Sequence, residues 1–270
     1  MQAFTSARYT VPLGNHSYPI DKYHLIPERL LAEGALTQDE LIEPQAASLD
    51  DILRVHDLTY VHAFMNGTLA HKAMLRIGLP WSPQLVQRAF AVIGGTIGAA
   101  YAALRDGVAV NLAGGTHHAF ADHGEGYCIF NDMVIALRRL RFEGLVRRFL
   151  IIDLDVHQGN GTAALCCTDA DVFTFSMHGE HNYPSRKEQG SWDIALPDDT
   201  ADAQYLDLLA QSLPGILERF VPELIFYQAG VDVLAGDRFG KLALTLEGVG
   251  ERDRVVCDFA RRAGLPMAVT

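Results

Sequence analysis

The sequence is poor in cysteine and in positive charge. Its 270 residues include only four cysteines, none in a Cys-x-x-Cys pair, and the adjacent Cys166 and Cys167 are unsuited to bridging each other. We therefore expect free thiols in a reducing compartment, which favours the cytoplasm. Lysine and arginine number 22 against 33 aspartates and glutamates, so the net charge is −11 at pH 7. Such a charge disfavours nonspecific binding to a nucleic-acid backbone.

Long apolar runs and low-complexity segments are also lacking. No apolar run approaches the ~20 residues that span a bilayer, and the first eight residues lack the apolar core of a signal peptide. The composition, 49% hydrophobic and 20% charged, excludes a disordered chain and a coiled coil. Because no repeat or linker is visible, we predict one domain over residues 1–270. We expect a soluble, cytoplasmic protein with no membrane contact.

Short apolar segments alternate with amphipathic ones along the chain. This alternation predicts an α/β fold, a parallel sheet with helices on both faces. Ser82 and Pro83 are typical of a helix start, and Gly107 ends that helix. A second helix is predicted from Asn131 to Arg141. The other predicted elements are strands over 108–112, 149–155, 172–175, 224–228 and 266–269, and helices over about 203–219 and 246–263.

Polar residues follow four of these strands. Ligands bind outside the carboxyl ends of parallel strands, so we expect these residues to converge on one rim. The four groups are Gly114-Gly115-Thr116-His117-His118, Asp153-x-Asp155-x-His157, Ser176-Met177-His178 and Ala229-Gly230-Val231-Asp232 with the loop that continues to Asp237.

The second group has the residue types of a metal site. Asp153, Asp155 and His157 alternate along a segment predicted to be extended, so their side chains should point the same way. Burial without partners would cost several kcal/mol for each of them, and a divalent cation is a suitable partner. Two carboxylates and an imidazole suit zinc better than calcium. With Asp237 from another strand end, they predict a zinc site; the alternative is a solvated strand end with capping acids.

Two adjacent histidines and several aromatic residues are further candidates. His117 and His118 can serve as a general base and an electrostatic partner if Asp153 and Asn160 orient them. The alternative is an ordinary pair of loop histidines. Tyr127 and, in a polar loop over 178–200, Tyr183 are each either core residues or the walls of a binding channel.

Four motifs together resemble the histone deacetylase superfamily, above all its class IV branch and bacterial relatives. The resemblance covers nearly the whole chain and implies an arginase/deacetylase-like α/β fold, one catalytic domain in three layers with a mostly parallel sheet of about eight strands. The motifs are Gly-Gly-Thr-His-His, Gly-Tyr-Cys-Ile-Phe-Asn-Asp, Asp-Leu-Asp-Val-His-Gln-Gly-Asn-Gly-Thr and Ala-Gly-Val-Asp-Val-Leu-Ala-Gly-Asp-Arg.

The resemblance also implies a reaction. It implies one Zn²⁺, with Fe²⁺ as the alternative, on Asp155, His157 and Asp237, and a metal-activated water that attacks an acyl amide. His118 would be the general base and then the acid, and His117 its charged helper. Asp153 and Asn160 would stand behind the two histidines, where class I members carry an aspartate in place of Asn160.

Substrate and potassium binding are implied in the same way. Gly126, Tyr127 and Tyr183 would line a channel for an acyl-lysine peptide or another acylated amine, with acetyl or a longer acyl group. A structural K⁺ would lie near residues of the two neighbouring strand ends, namely Asp153, Asp155, His157, Ser176 and Met177. The oligomeric state does not follow from the sequence.

One family feature is missing from the chain. The family's catalytic tyrosine stands in a Gly-Gly-Tyr turn after the strand that here reaches Thr270, and none of the nine tyrosines lies in such a turn. We expect that the C-terminal segment extends beyond Thr270, because a buried parallel strand would otherwise end with nothing to cover its site-facing end. Without that segment the chain lacks the oxyanion donor, a loss that costs about 10²–10³ in rate. The alternatives are a non-catalytic zinc-containing reader of acylated ligands and an acetylpolyamine amidohydrolase. Manganese ureohydrolase chemistry lacks an obvious second set of ligands.

Overall fold

The eight strands form one sheet. The computed structural model describes residues 1–270, and the strands are β1 Gln2–Phe4, β2 Leu41–Ile42, β3 Val108–Asn111, β4 Phe149–Asp153, β5 Val172–Gly179, β6 Trp192–Leu196, β7 Leu224–Gln228 and β8 Met267–Val269. Their order in the sheet is β2-β1-β3-β8-β7-β4-β5-β6. The pairs whose register is defined are parallel: β1 with β2 and β3, β4 with β5 and β7, and β5 with β6.

Nine α-helices lie between these strands, four of them between β2 and β3, and short 3-10 turns lie at Ala7–Tyr9 and Gln38–Glu40. The predicted α/β class with an eight-stranded parallel sheet is confirmed. The helices are α1 Lys22–Ala32, α2 Leu49–Leu53, α3 Leu58–Met65, α4 His71–Ile77, α5 Pro83–Asp106, α6 Asp132–Phe142, α7 Asn160–Cys166, α8 Asp202–Arg219 and α9 Leu246–Ala263.

Two compact units make up the chain, Met1–Leu145 with Ala268–Thr270, and Val146–Met267. The first contains the parallel strands β2, β1 and β3, and its central helix is α5. Ser82 caps α5 by accepting a hydrogen bond from the Leu85 amide, and Gly107 ends it with φ +89°. A Cβ at Gly94 would lie 1.8 Å from the Gln45 carbonyl oxygen, so only glycine permits this close approach.

The second unit contains β7, β4, β5 and β6, with β4 between β7 and β5. All five residues of β4, Phe149–Asp153, are buried, which explains its continuous apolar sequence. The parallel register places Asp153 beside Ser176 of β5 and Gln228 of β7. The carboxyl ends of these three strands therefore lie at the same edge within this unit.

Most of the predicted elements are confirmed, but three expectations differ from the structure. Residues 178–200 are not only a polar loop, because they contain β6, whose residues are mostly half-buried. β5 extends to Gly179, so Ser176, Met177 and His178 are part of the strand and do not follow it. β4 ends at Asp153, two residues before the predicted end. The prediction of one domain stays a prediction.

Helix α5 has the length and composition of a membrane span, although no apolar run of that length was predicted. Its most apolar window, however, is 72% buried within the fold. A core helix of a globular protein has the same property, and one such helix is weak evidence for a span. The cytoplasmic location stays a prediction.

A buried histidine links two loops of the first unit. His56 lies between α2 and α3 and is 3% exposed. Its Nδ1 is 2.8 Å from the Phe120 carbonyl oxygen, and the Asn131 amide donates to its Nε2 at 2.9 Å. These two bonds require a neutral ring with the proton on Nδ1. Burial lowers the pKa of His56 to about 4, against the opposing effect of the backbone hydrogen bonds.

This histidine predicts acid sensitivity. Its folded-state pKa of about 4 is below the ordinary value of 6.5, so the unfolded chain takes up the proton first as the pH falls. The neutral His56 ring therefore contributes its full share to the free energy of unfolding above about pH 6.5. This contribution, about 3 kcal/mol in total, is lost as the pH falls from about 6.5 to about 4. Denaturant unfolding from pH 7 to pH 4 should show this loss in the wild type and less of it in His56→Gln. The exposed His71→Gln is the control; equal slopes for wild type and His56→Gln would contradict the assignment.

Candidate metal centre and histidine pair

Three side chains of the second unit meet in a cluster that could hold a metal ion. They are Asp155, His157 and Asp232, and one candidate ligand atom from each lies within 4.8 Å of the others. The Nδ1 atom of His157 is 2.9 Å from Asp155 Oδ1 and 3.0 Å from Asp232 Oδ2. The cluster is largely buried, with side-chain exposures of 13%, 16% and 22% for Asp155, His157 and Asp232.

A bend after β4 brings Asp155 and His157 together. The Asp155 amide donates to Asp153 Oδ1 at 3.2 Å, and the His157 amide donates to Asp155 Oδ1 at 2.8 Å. Each carboxylate thus accepts a hydrogen bond from the backbone amide of the residue two positions later in the chain. The expectation of an extended segment here was wrong, because the chain leaves the sheet after Asp153. The pairing of Asp155 with His157 therefore results from the loop.

The third member of the cluster is Asp232, and this corrects the choice of Asp237. Asp232 Oδ1 accepts a hydrogen bond from the Val156 amide at 2.9 Å, which fixes its carboxylate against the β4 loop. The carboxylate of Asp237 instead accepts the amides of Phe239 and Gly240 at 2.7 and 3.0 Å. The sequence signal was present, since Asp232 is the first acid after β7. Spacing alone did not show which acid turns toward His157.

The charges of the cluster act on one another. Burial is the largest effect on His157 and lowers its pKa, but hydrogen bonds and charges from Asp155 and Asp232 together raise it to about 10. Burial raises the pKa of Asp232, and the nearby Asp155 carboxylate raises it further. Two carboxylates at this distance repel each other, so the cluster requires a cation, which the imidazolium or a bound metal can supply.

Gly230 permits the close packing of this cluster. A Cβ at Gly230 would lie 2.3 Å from Asp155 Oδ2 and 2.8 Å from its carboxyl carbon. Any larger residue would push Asp155 away from His157. This glycine therefore belongs to the construction of the site.

The donor set fits a catalytic zinc ion. Zinc takes imidazole nitrogen and carboxylate oxygen at about 2.0–2.2 Å, which separates tetrahedral ligand atoms by about 3.3 Å. The observed separations of 2.9 and 3.0 Å are close to that value. Three protein ligands without cysteine leave a fourth position for another molecule, as in catalytic rather than structural zinc sites.

The histidine pair lies in the first unit. His117 and His118 follow β3 after a glycine turn and are 3% and 4% exposed. Their ring centroids are 4.1 Å apart with an interplanar angle of 45°. Gly114 and Gly115 have φ of +93° and +68°, a conformation that favours glycine, so the Gly-Gly sequence is required for the turn that carries the pair.

A buried carboxylate holds this turn. Asp132, at the start of α6, accepts hydrogen bonds from the Gly115 amide at 3.1 Å and the Thr116 amide at 2.7 Å. It also accepts the hydroxyls of Thr116 at 2.7 Å and Thr96 at 2.6 Å. Asp132 was missed in the sequence analysis because an aspartate at a helix start is also an ordinary first-turn residue.

The predicted orienting residues and potassium ligands lie in the second unit. Asp153 ends β4, and Asn160 is the first residue of α7; both are 3% exposed. Ser176 is paired with Asp153 across the two strands, and Met177 follows it in β5. The roles of Asp153 and Asn160 behind the histidines and the potassium site stay predictions.

The predicted channel residues occupy two different loops. Gly126 and Tyr127 both have positive φ, +56° and +65°, and the Tyr127 ring packs on Tyr18 at 5.0 Å between centroids. Tyr183 is 42% exposed, and its ring centroid is 6.4 Å from that of His157. Tyr183 therefore lies beside the metal cluster within its unit, while the channel itself stays a prediction.

Lys187 and Gln158 fix the loop that carries Tyr183. Lys187 Nζ donates to the carbonyl oxygens of Asn182 and Pro184 at 2.6 and 2.7 Å. Gln158, next to His157, exchanges two hydrogen bonds with the backbone of Glu188, at 2.7 and 2.9 Å. The loop is thereby tied to the segment that carries the imidazole of the cluster.

The chain belongs to the histone deacetylase family, since a family model described as the histone deacetylase domain matches residues 16–270. Histone deacetylase 2 of Arabidopsis thaliana is 30% identical over 263 residues, which are 94% of this chain and 68% of that protein. An uncharacterized protein of Picosynechococcus sp. is 46% identical over 261 residues, covering 96% and 87% of the two chains.

The solved structure of an HDAC homologue from Aquifex aeolicus has the same fold, with a TM-score of 0.86 at 24% identity over 99% of this chain and 78% of that one. The predicted resemblance is thus confirmed. The family and its members named as deacetylases support a deacetylase hydrolase.

Exchanging one carboxylate for an amide tests the third ligand. Asp232→Asn should keep the hydrogen bond from the Val156 amide but weaken metal binding by more than about 100-fold. Mutation of residues that only hydrogen-bond to metal ligands already lowers metal affinity about 10–100-fold. Asp237→Asn is the matched control and should bind metal like the wild type. Metal content after dialysis and competition with a chelator measure both. Metal loss from Asp237→Asn alone would restore the original choice.

Exchanging Asp132 tests the anchor of the histidine turn. Asp132→Asn replaces one carboxylate oxygen with an NH2 group, which would face either the Gly115 amide or the Thr116 amide, a donor against a donor inside the fold, so the free energy of unfolding should fall by about 2–4 kcal/mol. The control is Asp122→Asn in the same loop, whose carboxylate is 70% exposed, with an expected change below about 0.5 kcal/mol. Denaturant unfolding decides; equal effects of the two variants would contradict the anchoring role.

Proposed function

We propose that the chain is a zinc-dependent amidohydrolase that removes acetyl or longer acyl groups from acyl-lysine or related acylated amines. The observation that carries the proposal is the cluster of Asp155, His157 and Asp232, with two carboxylates on one imidazole nitrogen. Membership of the histone deacetylase family supports the amide bond as the target.

The three cluster residues would hold the zinc ion. When bound, zinc supplies Lewis acidity for water and for the substrate carbonyl. Asp155 and Asp232 give the site its negative charge, and the Val156 and His157 amides keep the two carboxylates in place. Gly230 leaves room for Asp155.

His118 is assigned the proton transfers. It accepts a proton from the water whose oxygen attacks the amide carbon. It then gives a proton to the nitrogen as the C–N bond breaks, which yields a carboxylic acid and a free amine. His117, whose ring centroid lies 4.1 Å from that of His118, is assigned the role of its charged helper. Asp153 and Asn160 are assigned to orient the pair, and the Asp132 carboxylate holds its turn.

Tyr127, Gly126 and Tyr183 are assigned to the substrate. The exposed Tyr183 ring beside His157 offers an apolar wall for the methylene stem of a lysine or polyamine. The net charge of −11 favours a basic peptide or polyamine as the carrier of the acyl group. Acetyl is the reference acyl group.

The test is acid release from a panel of acyl-lysine peptides and an acetylpolyamine, acetyl to myristoyl, followed by mass spectrometry. The expected result is release that a chelator abolishes and that one equivalent of zinc restores. His118→Ala should keep zinc and lose about 10²–10⁴ in rate, because general acid–base catalysis contributes that much. The surface variant His24→Ala is its control.

Zinc-loaded, folded protein that binds a hydroxamate without releasing acid would contradict the hydrolase and favour a reader. Release that persists in the chelator would contradict the zinc requirement. Wild-type rates in His118→Ala would remove His118 from the base role.

A further inference from the structure

One fully buried cation in the second unit has no role in the proposed chemistry. Arg252, on α9, is 0% exposed and is the largest side chain of the chain to be fully buried. Taking a guanidinium out of water is unfavourable by several kcal/mol unless its donors are satisfied. The partners of Arg252 therefore indicate what the residue does.

Most of its partners are backbone carbonyls. Nη1 donates to the carbonyl oxygens of Leu154 at 3.2 Å and Gly230 at 2.5 Å, and Nη2 donates to that of Ala229 at 3.2 Å. The remaining contact is an ion pair with Asp253, at 2.9 Å from Nε and 2.8 Å from Nη2. Asp253 is itself 41% exposed and also accepts the Tyr227 hydroxyl.

These carbonyls belong to the two segments that carry the metal cluster. Leu154 stands between Asp153 and Asp155, while Ala229 and Gly230 connect the end of β7 to Asp232. One planar fork thus binds both segments at once. A lysine would not reproduce this arrangement, because all of its N–H donors are on one nitrogen atom.

The segments need such a tie. Beyond the strand pairing, the Leu154 amide donates to the Gln228 carbonyl at 3.1 Å and the Val156 amide to Asp232 at 2.9 Å, and His157 Nδ1 lies 3.0 Å from Asp232 Oδ2. The carboxylates of Asp155 and Asp232 repel each other across His157. A fixed separation of the two backbones keeps both carboxylates within reach of one ion.

We propose that Arg252 is a positioning residue for the metal centre, which holds the Leu154 and Ala229–Gly230 carbonyls so that Asp155 and Asp232 are preorganised for one divalent cation. The inference rests on the proposed function. Preorganisation raises metal affinity because binding no longer has to order the two loops. Arg252 touches no reacting atom.

The test measures metal affinity rather than activity. Metal-free wild type, Arg252→Met and Arg252→Lys are titrated with Zn²⁺ and Co²⁺ against a chromophoric chelator, well below the unfolding temperature of each apoprotein. Arg252→Met should raise the dissociation constant about 10–100-fold and change the visible absorption of bound Co²⁺. Arg252→Lys keeps the positive charge but loses the planar guanidinium. Its dissociation constant should therefore lie closer to that of Arg252→Met than to that of the wild type on a logarithmic scale.

Two controls separate positioning from general destabilisation. Arg139→Met removes another arginine held in ion pairs, with Asp51 and Glu143, and should lower the unfolding temperature with an unchanged metal dissociation constant. Asp253→Asn removes the charged partner but keeps the carbonyl contacts, so its dissociation constant should stay within about threefold of wild type.

A folded Arg252→Met with wild-type affinity and Co²⁺ spectrum would overturn the inference and leave the proposed function intact. If Arg252→Met does not fold, Arg252→Lys decides by the same criterion. A loss in Asp253→Asn as large as in Arg252→Met would also overturn it, because the carbonyl contacts remain there. Wild type that binds neither ion would overturn the proposed function and the inference together.

Discussion

Two carboxylates that share one imidazole nitrogen are the constraint on which the second unit depends. Asp155 and Asp232 both lie within 3.0 Å of His157 Nδ1, and two negative charges so close are unfavourable without a cation. The surrounding chain maintains the approach with backbone amides on the carboxylates and with a glycine where a side chain would collide. Because a divalent cation relieves this repulsion between the two carboxylates, its binding is favourable and stabilises the fold.

In each unit one buried charged side chain holds the backbone next to the proposed site residues. In the first unit the Asp132 carboxylate gathers the amides and hydroxyls of the turn before His117. In the second the Arg252 guanidinium gathers the carbonyls next to Asp155 and Asp232. Both anchors bind backbone groups next to the site residues, so the side chains of those site residues keep their own hydrogen bonds for the site.

The sequence predicted the elements whose signals are local. Ser82 and Asn131 cap α5 and α6 as expected, because a short polar side chain before an apolar helix has few other uses. β4 and β7 were recognised because each is a short continuous apolar segment, which is typical of a strand buried on both faces. The short strands β1 and β2 were missed, since two or three residues carry no period, whereas β8 was predicted from the apolar segment 266–269. The choice between Asp232 and Asp237 depended on the path of a loop, which spacing does not encode, and Asp132 and Arg252 are ordinary helix residues until their partners are known.

The proposed function requires that one zinc ion binds to one imidazole and two carboxylates of this chain. X-ray absorption at the zinc edge of the protein loaded with one equivalent of zinc reports these neighbours. We expect nitrogen and oxygen neighbours only, about four of them at about 2.0–2.2 Å, with the outer-shell scattering of a single imidazole. A sulfur neighbour at about 2.3 Å, or the scattering of two or more imidazoles, would contradict it.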